Sequence, residues 1–198
     1  MATPAHIMAA ASGYGLSRAL LSAVDLGLYS RLAQGPMTAG EICTEYGFLQ
    51  RPGVDFLDLL VSGGLLARTG DGAAARYLNT PETAAFLDRS QPEYIGGIIE
   101  LWAKRNFGFW NDLTEAMQTG RAQNETKDGG APFFETLYSD PQRLEAFMNA
   151  MRGSSIRNFR ALAEAFPFSR YGRLVDVGGA DGLLAREVAA RHGEIAIT

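Results

Sequence analysis

The 198-residue sequence predicts two domains. Residues 1–120 read as a mainly α-helical N-terminal domain of winged-helix form. Residues 121–198 read as linker helices followed by the first βαβ segment of an α/β, Rossmann-like layer. Three observations carry this reading. Apolar residues recur at helical spacing through the first 62 positions. A paired-strand signal surrounds Gly70-Asp71-Gly72. Between Leu174 and Ile197 an apolar run, a glycine-rich turn, a helix and a second apolar run follow one another.

Leu16, Leu20, Val24, Leu28 and Leu32 recur every four residues. That spacing places them on one stripe of a helix, expected to end near Gly35-Pro36. Thr38-Ala39-Gly40-Glu41 has the form of a capping box, in which a hydroxyl and a carboxylate each satisfy a free backbone N–H. It opens a short helix stopped by Gly47. Pro52 suits the first turn of a third helix, where its missing N–H costs nothing. Val54, Leu57, Leu60 and Val61 give that helix its apolar face. Leu65–Thr69 and Ala75–Leu78 then form a hairpin, and Thr80-Pro81 restarts a helix. Helix, turn, helix and two-stranded wing make the winged-helix arrangement.

Residues 92–120 predict two helices rich in aromatics, and residues 121–131 are polar with glycines, the best linker candidate. Asp140-Pro141 opens one helix, and another is expected from about Ser154 to Pro167. Leu174–Val177, the turn after it, a helix through Leu184 and Val188, and Ile195–Ile197 complete a strand–helix–strand unit of a parallel sheet.

Composition narrows the functional classes. Hydrophobic residues make up 46% and charged residues 20%, enough apolar content for a packed core. The net charge of −4 opposes binding to nucleic acid, which needs clustered Lys and Arg. No apolar run is expected to span a bilayer, and the N-terminus lacks the basic start of a signal peptide. No membrane partner and a cytoplasmic location are therefore expected. The single cysteine, Cys43, excludes an internal disulfide and reads as an inert buried thiol. Two histidines and one cysteine do not make a usual zinc site, so no metal is expected.

The chemistry concentrates in Val175-Asp176-Val177-Gly178-Gly179-Ala180-Asp181-Gly182. Glycine is needed where φ is positive or where a ligand lies against bare backbone. A strand-to-helix turn at the carboxyl end of a parallel strand is where doubly wound folds bind ligands. A nicotinamide dinucleotide would require G-x-G-x-x-G, but Ala180 and Leu183 stand at the third and sixth positions counted from Gly178. A phosphate loop ending in Gly-Lys-Ser/Thr is excluded because no lysine is near. What remains is a strand ending in an acid, then G-x-G-x-G with alanine in the middle. That pattern suits S-adenosylmethionine, which has no pyrophosphate to hold. A tight structural turn is the alternative.

Arg173–His192 resembles motif I of the plant-caffeate-type O-methyltransferases and their bacterial relatives, V-D-V-G-G-G-x-G. Those proteins carry, upstream, a D-P followed by a helix reading roughly F-N-x-A-M-x-x-x-S. Asp140-Pro141 and Phe147-Met148-Asn149-Ala150-Met151-Arg152-Gly153-Ser154-Ser155 are similar to it. The resemblance extends over essentially the whole chain. It implies an S-adenosylmethionine-dependent methyltransferase acting on a small molecule, with transfer to a hydroxyl favoured and to a thiol as a second choice. It also implies a homodimer formed through the N-terminal domain. Ser155, Asp176, Gly178, Gly179, Ala180 and Gly182 would line the cofactor site, with Ser155 on the methionine carboxylate. Phe147 and Met151 would sit near the methyl group and the acceptor, and Trp102 is a further pocket candidate.

Two departures from the family pattern matter. Ala180 replaces a glycine. Thr198 falls in the second strand, so the family's ribose-binding acid and catalytic histidine are expected beyond it, and the chain alone is expected to lack the catalytic half. No base is nominated: His6 lies in a terminus, and His192 at a helix end, where the dipole favours it. Duller readings stand beside these. Phe147 and Met151 at i, i+4 spacing suit a core, Ser155 suits a helix cap, and Trp102 with Phe107, Phe109 and Trp110 suits a core or dimer interface. Two other functions compete: a non-catalytic dimerisation protein, and a winged-helix regulator whose recognition helix would carry Asp55 and Asp58 towards phosphates.

Overall fold

The computed structural model describes residues 2–198. Contacts divide the chain into two compact units, 1–103 and 104–198. The division falls inside a π-helical turn, Trp102–Asn106, upstream of the polar stretch read as a linker. That stretch is itself tied down. Arg105 holds Glu125 by two bonds of 2.6 and 3.1 Å, and Lys127 reaches Asp112 and Glu115.

In the first unit, α1 (Ala5–Asp25) and α2 (Leu28–Leu32) replace the single helix expected from the leucine stripe. The break is at Gly27, whose φ of +70° is left-handed and tolerated best by glycine. The stripe survives the break, since Val24, Leu28 and Leu32 are all buried. By length and apolar character α1 could cross a bilayer, which corrects the expectation that no such run exists. Its two halves differ: residues 2–14 are exposed, whereas Ala19, Leu21, Ala23 and Val24 are buried.

The capping box forms as expected: Glu41 N–H donates to the Thr38 hydroxyl, and Thr38 N–H donates to the Glu41 carboxylate at 2.7 Å. It opens α3 (Ala39–Tyr46), which Gly47 closes at φ +66°. α4 (Gln50–Ser62) follows with Pro52 in its first turn, and Leu57 and Leu60 are fully buried. α3 and α4 pack so closely that a Cβ on Gly53 would lie 2.4 Å from Cys43 Sγ. Cys43 is buried, as expected.

β2 (Ala67–Thr69) and β3 (Arg76–Leu78) form the expected antiparallel hairpin. A strand not foreseen, β1 (Met37–Thr38), pairs with the other edge of β3. β3 is therefore central, and its Tyr77 is buried and donates to Asp58 on α4 at 2.8 Å. Arg68 donates to the same carboxylate at 3.1 Å and lies over the Tyr77 ring. α5 (Pro81–Phe86) starts at Thr80 with proline in its first turn, as expected, and α6 (Gly96–Leu101) completes the unit.

The second unit opens with α7 (Phe107–Phe109), α8 (Leu113–Thr119) and α9 (Phe133–Tyr138). Two helices were expected between Asp140 and Pro167, but one forms: α10 (Pro141–Ala165), of 25 residues. Gly153 alone weakens a helix by only about 1 kcal/mol, too little to end one that is capped and packed. The cap is Asp140, which accepts from Gln142 N and Arg143 N at 3.0 and 3.2 Å. Ser155 is consequently mid-helix, so the reading of it as a cap falls.

β4 (Arg173–Leu174) and β5 (Ala196–Ile197) pair in parallel across α11 (Leu183–Arg191). Bonding extends to Asp176, whose N–H donates to Thr198 O at 2.8 Å. Val177, expected as strand, lies outside it and is 92% exposed, because the backbone turns at Gly178. Ala163, Phe168, Val188 and Ile195 form the buried core between α10, α11 and the strands.

Candidate functional site

A cleft of about 150 Å³ lies between α10 and the glycine turn. From α10 come Met148, Met151, Arg152, Ser155 and Phe159. Their spacing of three and four residues puts them on one helical stripe, which the unbroken run of α10 makes possible. The opposite wall is Asp176 and the turn Gly178–Asp181, with Leu183 and Leu184 of α11 beneath.

The turn's shape follows from its residues. Gly178 and Gly182 have φ of +75° and +72°. Ala180, at φ +50°, is the single non-glycine residue with positive φ among the described residues. A left-handed alanine costs on the order of 1 kcal/mol, so neighbouring contacts must hold it. Gly182 N–H donates to Gly179 O at 2.7 Å, and Leu183 N–H donates to Asp181 Oδ1 at 3.1 Å. Asp181 Oδ2 accepts from Arg152 Nε at 2.8 Å and from Arg152 Nη2, and Arg186 Nη2 stands 3.5 Å away. Burial alone would raise the Asp181 carboxyl, but the Arg152 bonds and charge outweigh it and hold it below the usual carboxylate range.

Gly179 has a different reason to be glycine. A Cβ there would lie 2.4 Å from Asp176 Oδ2. That oxygen is buried without a hydrogen-bond partner. A buried acceptor lacking a donor is costly. In a cleft floored by open backbone, a ligand bearing N–H donors or positive charge would satisfy it. The amino-acid end of S-adenosylmethionine carries both an ammonium and a sulfonium. A half-open cleft of about 150 Å³ suits that end rather than the whole molecule. The residues present therefore fit this cofactor.

Of the residues singled out in the sequence, Ser155, Asp176, Gly178, Gly179, Ala180 and Met151 come together around the cleft. Gly182 caps α11 just behind it. Phe147 faces another cluster, edge-on to Phe133 at 5.5 Å and to Phe134 at 6.3 Å. Trp102 lies in the first unit and is half exposed. His192 donates from Nε2 to Ala163 O at 2.8 Å and packs on Phe168, a structural placement. Among the described residues no group of acids, histidines and cysteine could hold a metal ion. Sequence reasoning missed Arg152 and Asp181. They are 29 residues apart, and no spacing rule links them until α10 and the turn are folded.

Comparison with known proteins agrees with this division of the chain. Residues 8–89 match the O-methyltransferase dimerisation domain, and residues 110–198 match the O-methyltransferase domain. The tetracenomycin polyketide synthesis 8-O-methyl transferase TcmO of Streptomyces glaucescens is 37% identical over 98% of this chain and 56% of its own length. The N,N-dimethyltransferase OxyT of Streptomyces rimosus is 36% identical over 91% of this chain and 52% of its own length. The crystal structure of human N-acetylserotonin methyltransferase in complex with SAM superposes with a TM-score of 0.87 at 25% identity, covering 96% of this chain and 56% of that one. The chain thus spans about half the length of the relatives it matches.

Proposed function

Because the chain belongs to the S-adenosylmethionine-dependent O-methyltransferase family, we propose that it forms the dimerisation module and the opening cofactor-binding segment of a small-molecule methyltransferase. Its finer architecture is then a winged helix followed by the start of a Rossmann-like layer. The α3–α4 pair with the β1–β3–β2 sheet, and the parallel β4–α11–β5 unit, support that description. The observation that carries the functional reading is the orphaned Asp176 Oδ2 in a cleft whose other wall is bare glycine backbone.

Bound S-adenosylmethionine supplies an electrophilic methyl group. The chain's residues provide placement. Asp176 accepts from the cofactor's amino end and opposes its positive charge. Gly178, Gly179 and Ala180 let the main chain approach, and Gly182 starts the helix beneath them. Ser155, one helical turn from Met151, offers a hydroxyl to the methionine carboxylate. Met151, on the cleft wall, gives apolar surface around the reacting centre. Alignment of nucleophile and methyl is the main catalytic contribution in such a displacement.

The acceptor is a small molecule carrying a hydroxyl, with a thiol as second choice. The relative OxyT, named as an N,N-dimethyltransferase, adds nitrogen to the acceptor classes worth testing. The protein works as a homodimer through its first unit and resides in the cytoplasm. The exposed half of α1 then serves the partner subunit rather than a membrane. Nucleic acid is not proposed as a partner: the net charge is −4 and α4 carries the acidic Asp55, which opposes phosphates.

Calorimetric titration with S-adenosylhomocysteine tests this. Saturable binding at one molecule per chain is expected, and Gly179→Ala, which drives a methyl into the Asp176 carboxylate, should weaken it at least tenfold. Binding unaffected by Gly179→Ala would remove the cofactor from this turn.

A further inference from the structure

The two charged residues that meet at the cleft, Arg152 and Asp181, have no role in the reading above. Arg152 stands on α10 between Met151 and Ser155, on the stripe that faces the turn. Its guanidinium places both Nε and Nη2 on one oxygen of Asp181, 29 residues later. The second oxygen of Asp181 accepts the first free N–H of α11, at Leu183. One carboxylate thus joins three things: the helix that carries Ser155, the turn, and the start of the next helix. Its chain neighbours are Ala180 and Gly182, both left-handed. Glycine takes such a φ freely, whereas alanine prefers to leave it. The tie from Arg152 therefore acts directly beside the residue most inclined to relax, Ala180.

We propose that Arg152 is a positioning residue: acting through Asp181, it holds the Gly178–Gly182 turn against α10 in the left-handed form that receives S-adenosylmethionine. The inference rests on the cofactor reading above. It assigns Arg152 no contact with the reacting atoms. Arg186, 3.5 Å from the same oxygen, lies on α11 itself and cannot tie the turn to α10. The alanine at position 180 is the reason the tie matters. Glycine there would take a left-handed φ without the penalty alanine carries, so the tie would matter less.

Two measurements on the same variants separate this from a general loss of structure. Hydrogen exchange of the unliganded chain should show the Gly182 and Leu183 amides exchanging at least tenfold faster in Arg152→Gln, with the amides in the middle of α10 unchanged. Titration with S-adenosylhomocysteine should show about tenfold weaker binding in Arg152→Gln and partial recovery in Arg152→Lys, which keeps charge but loses the two-pronged contact. Adding Ala180→Gly to Arg152→Gln should restore most of the affinity. That rescue is specific, since a glycine at 180 cannot replace an arginine that touches the ligand directly. Unchanged exchange and unchanged affinity in Arg152→Gln overturn the clasp and leave the cofactor reading standing. Weakened affinity that Ala180→Gly fails to restore also overturns it. An unaltered chain that binds no S-adenosylhomocysteine sinks the cofactor reading, whereas faster exchange in Arg152→Gln still supports the tie.

Discussion

At the scale of single residues, the site is decided by where one atom is missing. Gly179 lacks the Cβ that would strike Asp176, and the oxygen so accommodated has no donor of its own. Asp181 is the opposite case, a carboxylate with too many donors to be protonated easily. Its folded-state value is held below the ordinary one. Stability from that carboxylate is full above the ordinary carboxylate range and is lost as the pH falls through the lowered value. Thermal unfolding of the unaltered chain and of Asp181→Asn between about pH 6 and pH 3 checks this. The unaltered chain should melt higher at the neutral end and the two curves should converge at the acid end. A gap that is constant with pH would show that the carboxylate's charge contributes nothing. The need for glycine at 178 and 182 was legible from the motif. The Arg152–Asp181 pair was not, because a pair separated by 29 residues leaves no local pattern.

At the scale of elements, capping chemistry was the most readable signal and glycine the least. Thr38–Glu41 and Thr80-Pro81 begin helices where local rules place them. Gly27 and Gly153 behave in opposite ways: the first breaks a helix and the second does not. The difference is backbone conformation, left-handed at Gly27 and helical at Gly153, which composition alone does not encode. β1 escaped notice because two residues carry no periodicity; its pairing with β3 is a tertiary fact. The unbroken α10 matters most, since it aligns Met148, Met151, Arg152 and Ser155 on one face. Its start depends on Asp140. Asp140→Ala should cost about 1 kcal/mol of stability, the usual worth of an N-cap. Chemical denaturation reads this as a lower midpoint with an unchanged slope. No change would mean that packing alone fixes the start of α10.

At the scale of the whole molecule, the first unit leaves apolar surface that needs a partner. A groove of about 790 Å³ is lined by Tyr14, Leu26, Phe48, Leu49 and Phe56. Leu49 is 77% exposed, and Ile7 and Met8 on the free half of α1 are 70% and 60% exposed. Exposed apolar patches of this kind mark association surfaces. The chain should therefore sediment as a dimer, and Leu49→Glu should convert it to a folded monomer with an unchanged circular dichroism spectrum. A dimer that survives Leu49→Glu would place the interface elsewhere. The two-part organisation itself was legible from periodicity and the glycine motif. The position of the division at Ala103–Lys104 was not, because the polar stretch after Arg121 is held by ion pairs rather than left loose.

The glycine turn after β4 is proposed to receive the amino-acid end of S-adenosylmethionine. A crystal structure of the protein with S-adenosylhomocysteine tests it most directly. Ligand density is expected against the backbone of Gly178–Ala180, with the ligand's amino group donating to Asp176 Oδ2 and its carboxylate within reach of the Ser155 hydroxyl. Ligand density elsewhere, with Asp176 Oδ2 still unpartnered and the turn empty at saturating ligand, would contradict it.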